Sequence, residues 1–207
     1  MHTVQQAREA AGLGVDVIIA QGSEAGGFGG SAAALALIPQ VVDAVEPIPV
    51  VAAGGIAEGR GLAAALLLGA VGINIGTRFL ATVEAPIHQA WKERIVAANS
   101  EDAMKADVWN DIMPVPGRGG YGTVPRALRT AFVNEWQSKR DQATAQAEPL
   151  QREILSAMQQ GRFHELVPFA GQTAGAVSDV LPAAEVVRRT VAEAERVLRG
   201  SGDLLRG

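Results

Sequence analysis

Two short β-branched segments, each running into glycine and separated by the length of one helix, constrain this chain more than any other feature. The first is Ile48-Pro49-Val50-Val51-Ala52-Ala53-Gly54-Gly55-Ile56 and the second Gly72-Ile73-Asn74-Ile75-Gly76-Thr77-Arg78. Apolar runs of this kind read as parallel strands buried on both faces, and a strand-helix-strand alternation pairs them in the right-handed sense. In such folds ligands meet the C-terminal ends of the strands, where glycine lets backbone N–H groups approach a phosphoryl oxygen. Gly54, Gly55 and Gly76 therefore predict a phosphate clamp, to which Thr77 adds a hydroxyl. The plainer alternative is a pair of tight turns with no ligand.

The same alternation begins earlier. Thr3 and Gln6 have capping-box spacing, which predicts a helix ending before Gly12 and Gly14. Val15 to Ala20 reads as a third parallel strand, opening into a glycine-rich loop from Gln21 to Gly30. Residues 32–45 predict a helix with Leu35, Ile38, Val41, Val42 and Val45 inward, and Pro39 is expected in its first turn or at a break. A helix over 61–68 links the two opening strands, and beyond residue 80 only helices are expected, over 84–99, 124–146, 148–160 and 183–199, with a loop at 113–120. A closed eight-stranded barrel takes ~250 residues. Three parallel strands alone leave an edge for something else to cover.

Composition narrows the classes. With 48% apolar content the 207 residues can bury a core, so disorder is not expected. The formal charge is −4, from 22 acidic and 18 basic side chains, and no basic stripe marks a nucleic-acid surface. The absence of cysteine removes disulfides and thiolate metal sites, and no His, Asp or Glu spacing resembles a metal motif. Polar residues follow Met1 and no apolar run spans a bilayer, so a cytoplasmic protein without membrane contact is expected.

The order of the motifs carries a resemblance. Ala20-Gln21-Gly22-Ser23-Glu24-Ala25-Gly26-Gly27, Ala52-Ala53-Gly54-Gly55-Ile56-Ala57, Gly59-Arg60-Gly61, Gly76-Thr77-Arg78-Phe79-Leu80, Ala170-Gly171-Gln172-Thr173-Ala174-Gly175 and Leu181-Pro182-Ala183-Ala184-Glu185 follow one another in this chain. An Ala-Ala-Gly-Gly-Ile segment alone occurs in several phosphate-binding barrels, but the ordered set resembles the C-terminal part of the nitronate monooxygenases. The resemblance implies an α/β fold whose residues 1–95 are the last three strand-helix units of a partial TIM-type (β/α) barrel that binds FMN. It implies a helical second domain over 96–182 and a C-terminal helix over 183–207 that returns to the barrel.

By the same resemblance, Gln21 and Gly26 lie near the flavin and ribityl chain, and Gly54, Gly55, Asn74, Ile75, Gly76 and Thr77 surround the phosphate. The implied reaction is oxidation of an alkyl nitronate by dioxygen to a carbonyl compound and nitrite. One position departs. The family's catalytic histidine follows the paired glycines of the first loop, where this chain has Phe28, and His2, His88 and His164 lie elsewhere in the sequence. No catalytic residue is therefore assigned. The family's first five strands would precede Met1, so a second chain is a candidate cover for the open edge. Two other functions fit the motifs: a flavin reductase like the enoyl-acyl-carrier-protein reductases, or a catalytically silent flavin-binding or assembly fragment. Plainer roles also stand for single residues. Gln21 satisfies loop backbone, Glu24 caps a turn or helix, Phe28 fills a vacated site rather than stacking on a ligand, Arg78 is paired or solvated rather than anion-binding, His88 packs, and Arg188 with Arg189 is a solvated helix face.

Overall fold

A computed structural model describes residues 1–114 and 122–202; the loop expected at 113–120 lies, past Pro114, outside them. The strands are β1 (Ile18–Gln21), β2 (Gly27–Gly29), β3 (Val50–Ala53), β4 (Gly72–Asn74), β5 (Ala103–Lys105) and β6 (Val124–Leu128). The helices are α1 (Val4–Gly12), α2 (Ala34–Val45), α3 (Gly59–Leu67), α4 (Thr77–Leu80), α5 (Gln89–Ala97), α6 (Val108–Ile112), α7 (Ala131–Gln137), α8 (Arg140–Ala145), α9 (Ala147–Gln159), α10 (Phe163–Leu166) and α11 (Ala183–Gly200). The fold is α/β with two sheets among the described residues.

The first sheet is parallel, in the order β1-β3-β4. Thr3 Oγ1 accepts the Gln6 N–H at 3.1 Å while Gln6 Oε1 takes the His2 N–H at 2.7 Å, and the capped α1 buries Ala7 and Ala10. The first N–H of α2 is capped from the preceding loop by Glu24, whose two carboxylate oxygens each lie 3.0 Å from the Ala34 nitrogen. Leu37, Ile38, Val41 and Val45 of α2 pack on Ile18, Ala20, Val50 and Ala52 to make the core of this half. Two expectations for α2 need correction. Leu35 is 71% exposed rather than inward, and Pro39 lies inside an unbroken helix. The two corrections are linked: Pro39 removes the N–H that would bond the Leu35 carbonyl, and the helix carries that gap on its solvent side.

The second sheet corrects the expectation that everything after residue 80 is helical. It is antiparallel, in the order β2-β6-β5, with Phe28 opposite Pro125 and Met104 opposite Ala127. Thus Gly27–Gly29 is strand inside the expected loop, and Val124–Leu128 is strand where a helix over 124–146 was expected. Pro125 in a central strand argues against a strand reading of that sequence. Tertiary pairing decides instead, since β6 finds one partner upstream at β2 and another at β5, and its last four residues are buried. The helical remainder of 124–146 is α7, capped by Thr130 Oγ1 on the Val133 N–H at 3.0 Å, followed by α8. The helix expected from 84 begins only at Gln89, with His88 Nδ1 accepting the Ala90 N–H.

Around the second sheet, Trp109, Ile112, Phe132, Val133, Leu150 and Ile154 form a separate cluster. A third cluster, with Ala57, Ala81, Ile95, Leu128, Ala170 and Val177, joins the halves beneath the segment that follows Phe169. Helix α11 lies back on α3: the Gly59 N–H donates to Glu193 Oε2 at 2.8 Å, and a Cβ on Gly59 would sit 2.5 Å from the Ala194 nitrogen. No helix among the described residues is long and apolar enough to cross a membrane.

Candidate active site

A cavity of about 290 Å³ lies over the C-terminal ends of β1, β3 and β4. Gln21, Gly26, Gly54, Asn74, Gly76 and Thr77 line it, so six of the eight residues marked in the sequence meet around one space. The other two do not line it. Gly55 is exposed beside Gly54 with the Glu24 carboxylate 3.5 Å from where its Cβ would be. The Ile75 side chain turns away into an apolar groove with Leu62, Phe79 and Val187, so only its backbone is available to the cavity.

The glycines are required for identifiable reasons. Gly54 and Gly55 have φ of +82° and +75°, a region that L-residues enter only with strain. A Cβ on Gly54 would also press to 2.9 Å from the Gly22 carbonyl oxygen. A Cβ on Gly76, by contrast, would meet nothing within 4 Å: it would occupy open cavity, the space a bound group needs. Among the described residues, no hydrogen bond engages the N–H of Gly54, Gly55 or Gly76. Unclaimed N–H groups at two adjacent strand ends, over an open cradle, fit a phosphoryl oxygen.

A third wall was missed in the sequence. Phe169 and Thr173 line the cavity, and Gly171 donates its N–H to the buried Thr77 Oγ1 at 2.8 Å, leaving the Thr77 proton to offer elsewhere. A Cβ on Gly26 would fall 2.6 Å from the Ala170 carbonyl carbon, and one on Gly171 would fall 2.7 Å from the Glu24 carbonyl oxygen. The first loop and the segment after Phe169 are therefore in backbone contact, and the Gln172 N–H donates to the Glu24 carbonyl at 2.9 Å. The signal was the glycine inside Ala170-Gly171-Gln172, which marks close approach but not to what.

Gln21 lines the cavity and commits its Nε2 to the Phe28 carbonyl at 2.7 Å. Phe28 lies in β2, 6.4 Å from Phe169 between ring centroids, and borders a second, more open cavity of about 560 Å³ together with His2, Gln21 and Thr123. His2 is remote from this loop in sequence but packs against it, its Cβ 2.7 Å from a Cβ placed on Gly30. Its buried Nδ1 has no hydrogen-bond partner among the described residues, and burial, then the neighbouring N-terminal charge, hold its pKa below the ordinary histidine value.

The remaining candidates resolve into structural roles. Arg78 is 5% exposed and donates to the Asp179 carbonyl at 2.7 Å and Oδ1 at 3.0 Å; burial lowers its pKa and Asp179 opposes that shift. Glu24 is the α2 cap already described. His88 stacks on His164 with ring centroids 4.3 Å apart. Two cations flank the first loop that the sequence did not single out, Lys105 on β5 and Arg126 on β6, both with pKa values lowered chiefly by burial. No group of three or more His, Cys, Asp or Glu poised for a metal occurs among the described residues.

A parallel α/β half with a glycine-walled cleft at its strand ends belongs to the class of α/β folds that bind ligands at the carboxyl ends of their strands. Comparison with known proteins makes the class specific. The family model for nitronate monooxygenase matches residues 1–193. A Mycobacterium tuberculosis protein assigned as a monooxygenase is 41% identical over 202 residues, covering 92% of this chain and 51% of that one. The fold overlays FabK from Thermotoga maritima with a TM-score of 0.85 at 32% identity, over 99% of this chain and 62% of the other. A nitroalkane oxidase from Streptomyces ansochromogenes overlays with a TM-score of 0.76 at 28% identity, over 97% and 57%. The chain belongs to the nitronate monooxygenase family, a family of oxidoreductase enzymes. It spans about half the length of the curated relatives it matches.

Proposed function

We propose that this chain forms the cofactor-binding C-terminal part of an FMN-dependent enzyme that oxidises alkyl nitronates with dioxygen to a carbonyl compound and nitrite. The observation that carries the reading is the convergence of two glycine turns, with unengaged N–H groups, on one cavity. In this reading Gly54, Gly76 and Thr77 hold the phosphate, Gly55 completes the turn beside Gly54 with its N–H unengaged, and the backbone of Asn74 and Ile75 shapes that wall. Gln21 and Gly26 meet the flavin and ribityl chain, while Ile56, Leu80 and Phe169 keep water out. FMN bound there would supply the electron-accepting chemistry.

Phe28 has no proton to give or take. A nitronate is already a carbanion, whereas a neutral nitroalkane must first lose a proton from carbon, a step to which a positioned base contributes ~10²–10⁴-fold. Nitronate oxidation is therefore expected without nitroalkane oxidation. Steady-state assays of a version with a complete barrel, on both substrate forms, test this; comparable rates on the neutral nitroalkane would refute it.

The same reading makes residues 1–95 three units of a TIM-type barrel, 96–182 the second domain and 183–207 the returning helix, in a cytoplasmic protein that binds neither nucleic acid nor membrane. The outer edge of β1 supports continuation of the sheet. The Met1 N–H donates to the Ile19 carbonyl, and the Gln21 N–H donates to the Met1 carbonyl at 2.9 Å, the pattern of one parallel bridge, beside an Ile19 that is 41% exposed. A polypeptide supplying further parallel strands would cover it. The second functional reading, a flavin reductase of the enoyl-acyl-carrier-protein type, is favoured by the overlay of 99% of this chain on 62% of FabK. Dependence of turnover on NADH or NADPH separates the two.

A further inference from the structure

In the glycine-rich loop after β1, carbonyl oxygens on both sides of the cavity-lining Ala25, Gly26 and Gly27 are taken. The Ser23 carbonyl accepts from Arg126 Nε at 3.1 Å and Nη2 at 2.9 Å. The Gly29 and Gly30 carbonyls accept from Lys105 Nζ at 3.1 and 3.0 Å. The Gly22 carbonyl accepts from the Ala25 N–H at 3.2 Å, the Glu24 carbonyl from the Gln172 N–H at 2.9 Å, and the Phe28 carbonyl from Gln21 Nε2 at 2.7 Å. The third donors of the two cations go to the second sheet, Lys105 to the Val124 carbonyl at 3.2 Å and Arg126 to the Ala103 carbonyl at 2.6 Å.

Neither cation forms an ion pair among the described residues. Of the carboxylates that act on them electrostatically, Glu24 is engaged with the Ala34 N–H and Asp107 with Gln137 Nε2 at 3.3 Å. Both cations thus spend their donors on backbone carbonyls, with Glu24 and Asp107 as nearby rather than contacting counter-charges. Charged donors grip a glycine-rich segment more strongly than neutral ones, and the carbonyls they hold, at Ser23, Gly29 and Gly30, bracket the cavity-lining Ala25, Gly26 and Gly27.

We propose that Lys105 and Arg126 are positioning residues of this site: by holding the carbonyls on both sides of Ala25, Gly26 and Gly27 they fix that wall and add two cationic groups beside it, so that the cavity favours an anionic, phosphorylated occupant. The proposal rests on the reading of the cavity as a phosphate site, and its test has an arm that does not. In the full chain without ligand, Lys105→Met raises hydrogen-deuterium exchange of the amides from Glu24 to Ser31 about tenfold and leaves those of β3 unchanged. Lys105→Arg restores the wild-type rate, and Lys105→Gln serves if Lys105→Met does not fold. Unchanged exchange in the charge-removed variant overturns the proposal.

The second arm compares FMN with riboflavin by flavin fluorescence. Lys105→Met weakens FMN about tenfold relative to riboflavin, and Lys105→Arg recovers the preference. An equal loss for both ligands shows a merely structural role and overturns the selection of anions. If wild-type protein binds neither flavin while the exchange effect is present, the cofactor reading fails and the loop-holding role stands.

Discussion

The two sheets serve one cavity by different means. The parallel sheet offers backbone: strand ends, glycine turns and unengaged N–H groups whose positions follow from local sequence. The antiparallel sheet offers side chains, Lys105 and Arg126, which reach across 76 and 103 residues of sequence to hold the loop that completes the wall. A site supplied by backbone is written in glycines and can be read from them. A site supplied by distant side chains exists only once the sheet that carries them has formed.

Core substitutions strain this comparison most. Ile38→Ala in the parallel half and Ile154→Ala beneath the antiparallel half each remove a fully buried side chain, and each is expected to cost ~2–5 kcal/mol. Because the third cluster joins the halves, both variants should lower a single denaturation midpoint followed by circular dichroism. Two separate transitions would show that the sheets fold independently. Next comes Gly54→Ala, which combines a φ of +82° with a 2.9 Å approach to the Gly22 carbonyl. It should cost ~1–3 kcal/mol in urea unfolding and abolish FMN binding, whereas Gly14→Ala, also at positive φ but with open space around it, should leave FMN binding intact.

A smaller effect is expected at the α7 cap. Thr130→Ala removes the acceptor of the Val133 N–H and the donor to the Leu166 carbonyl, for ~0.5–2 kcal/mol in chemical denaturation, without altering ligand affinity. The smallest is a pH slope from His2. Its folded pKa lies below its unfolded value, so the unfolded chain binds the extra proton first. Stability should therefore be fully present above about pH 6.5 and decline as pH falls toward the folded pKa. Thermal melts across that window should lose this component in His2→Gln; an identical slope in the variant would remove His2 from the explanation.

Legibility in the sequence follows the same division. The three parallel strands, their order of appearance and the converging glycines Gly54 and Gly76 were readable because β-branched runs and glycine report local backbone needs, whereas Gly26 came from the resemblance alone. Strand β6 was not readable, since Val124-Pro125-Arg126-Ala127-Leu128 is short, contains proline and has partners at β2 and β5 that no local window contains. Ile75 enters the set through the resemblance, which says nothing of side-chain direction; its side chain lines an apolar groove with Phe79, leaving its backbone toward the cavity. Phe169, Thr173, Lys105 and Arg126 carry no local mark of their roles. They enter the site through contacts made across the fold.

An amide-resolved titration of the ¹⁵N-labelled chain, with any strand-supplying partner in place, against FMN bears most directly on the shared phosphate cradle. The Gly54, Gly55 and Gly76 cross-peaks should shift together with one dissociation constant, and Gly161, which follows α9 and does not line the cavity, should stay still. If FMN binds with those three unmoved, or moves one turn without the other, the two turns do not share a phosphate.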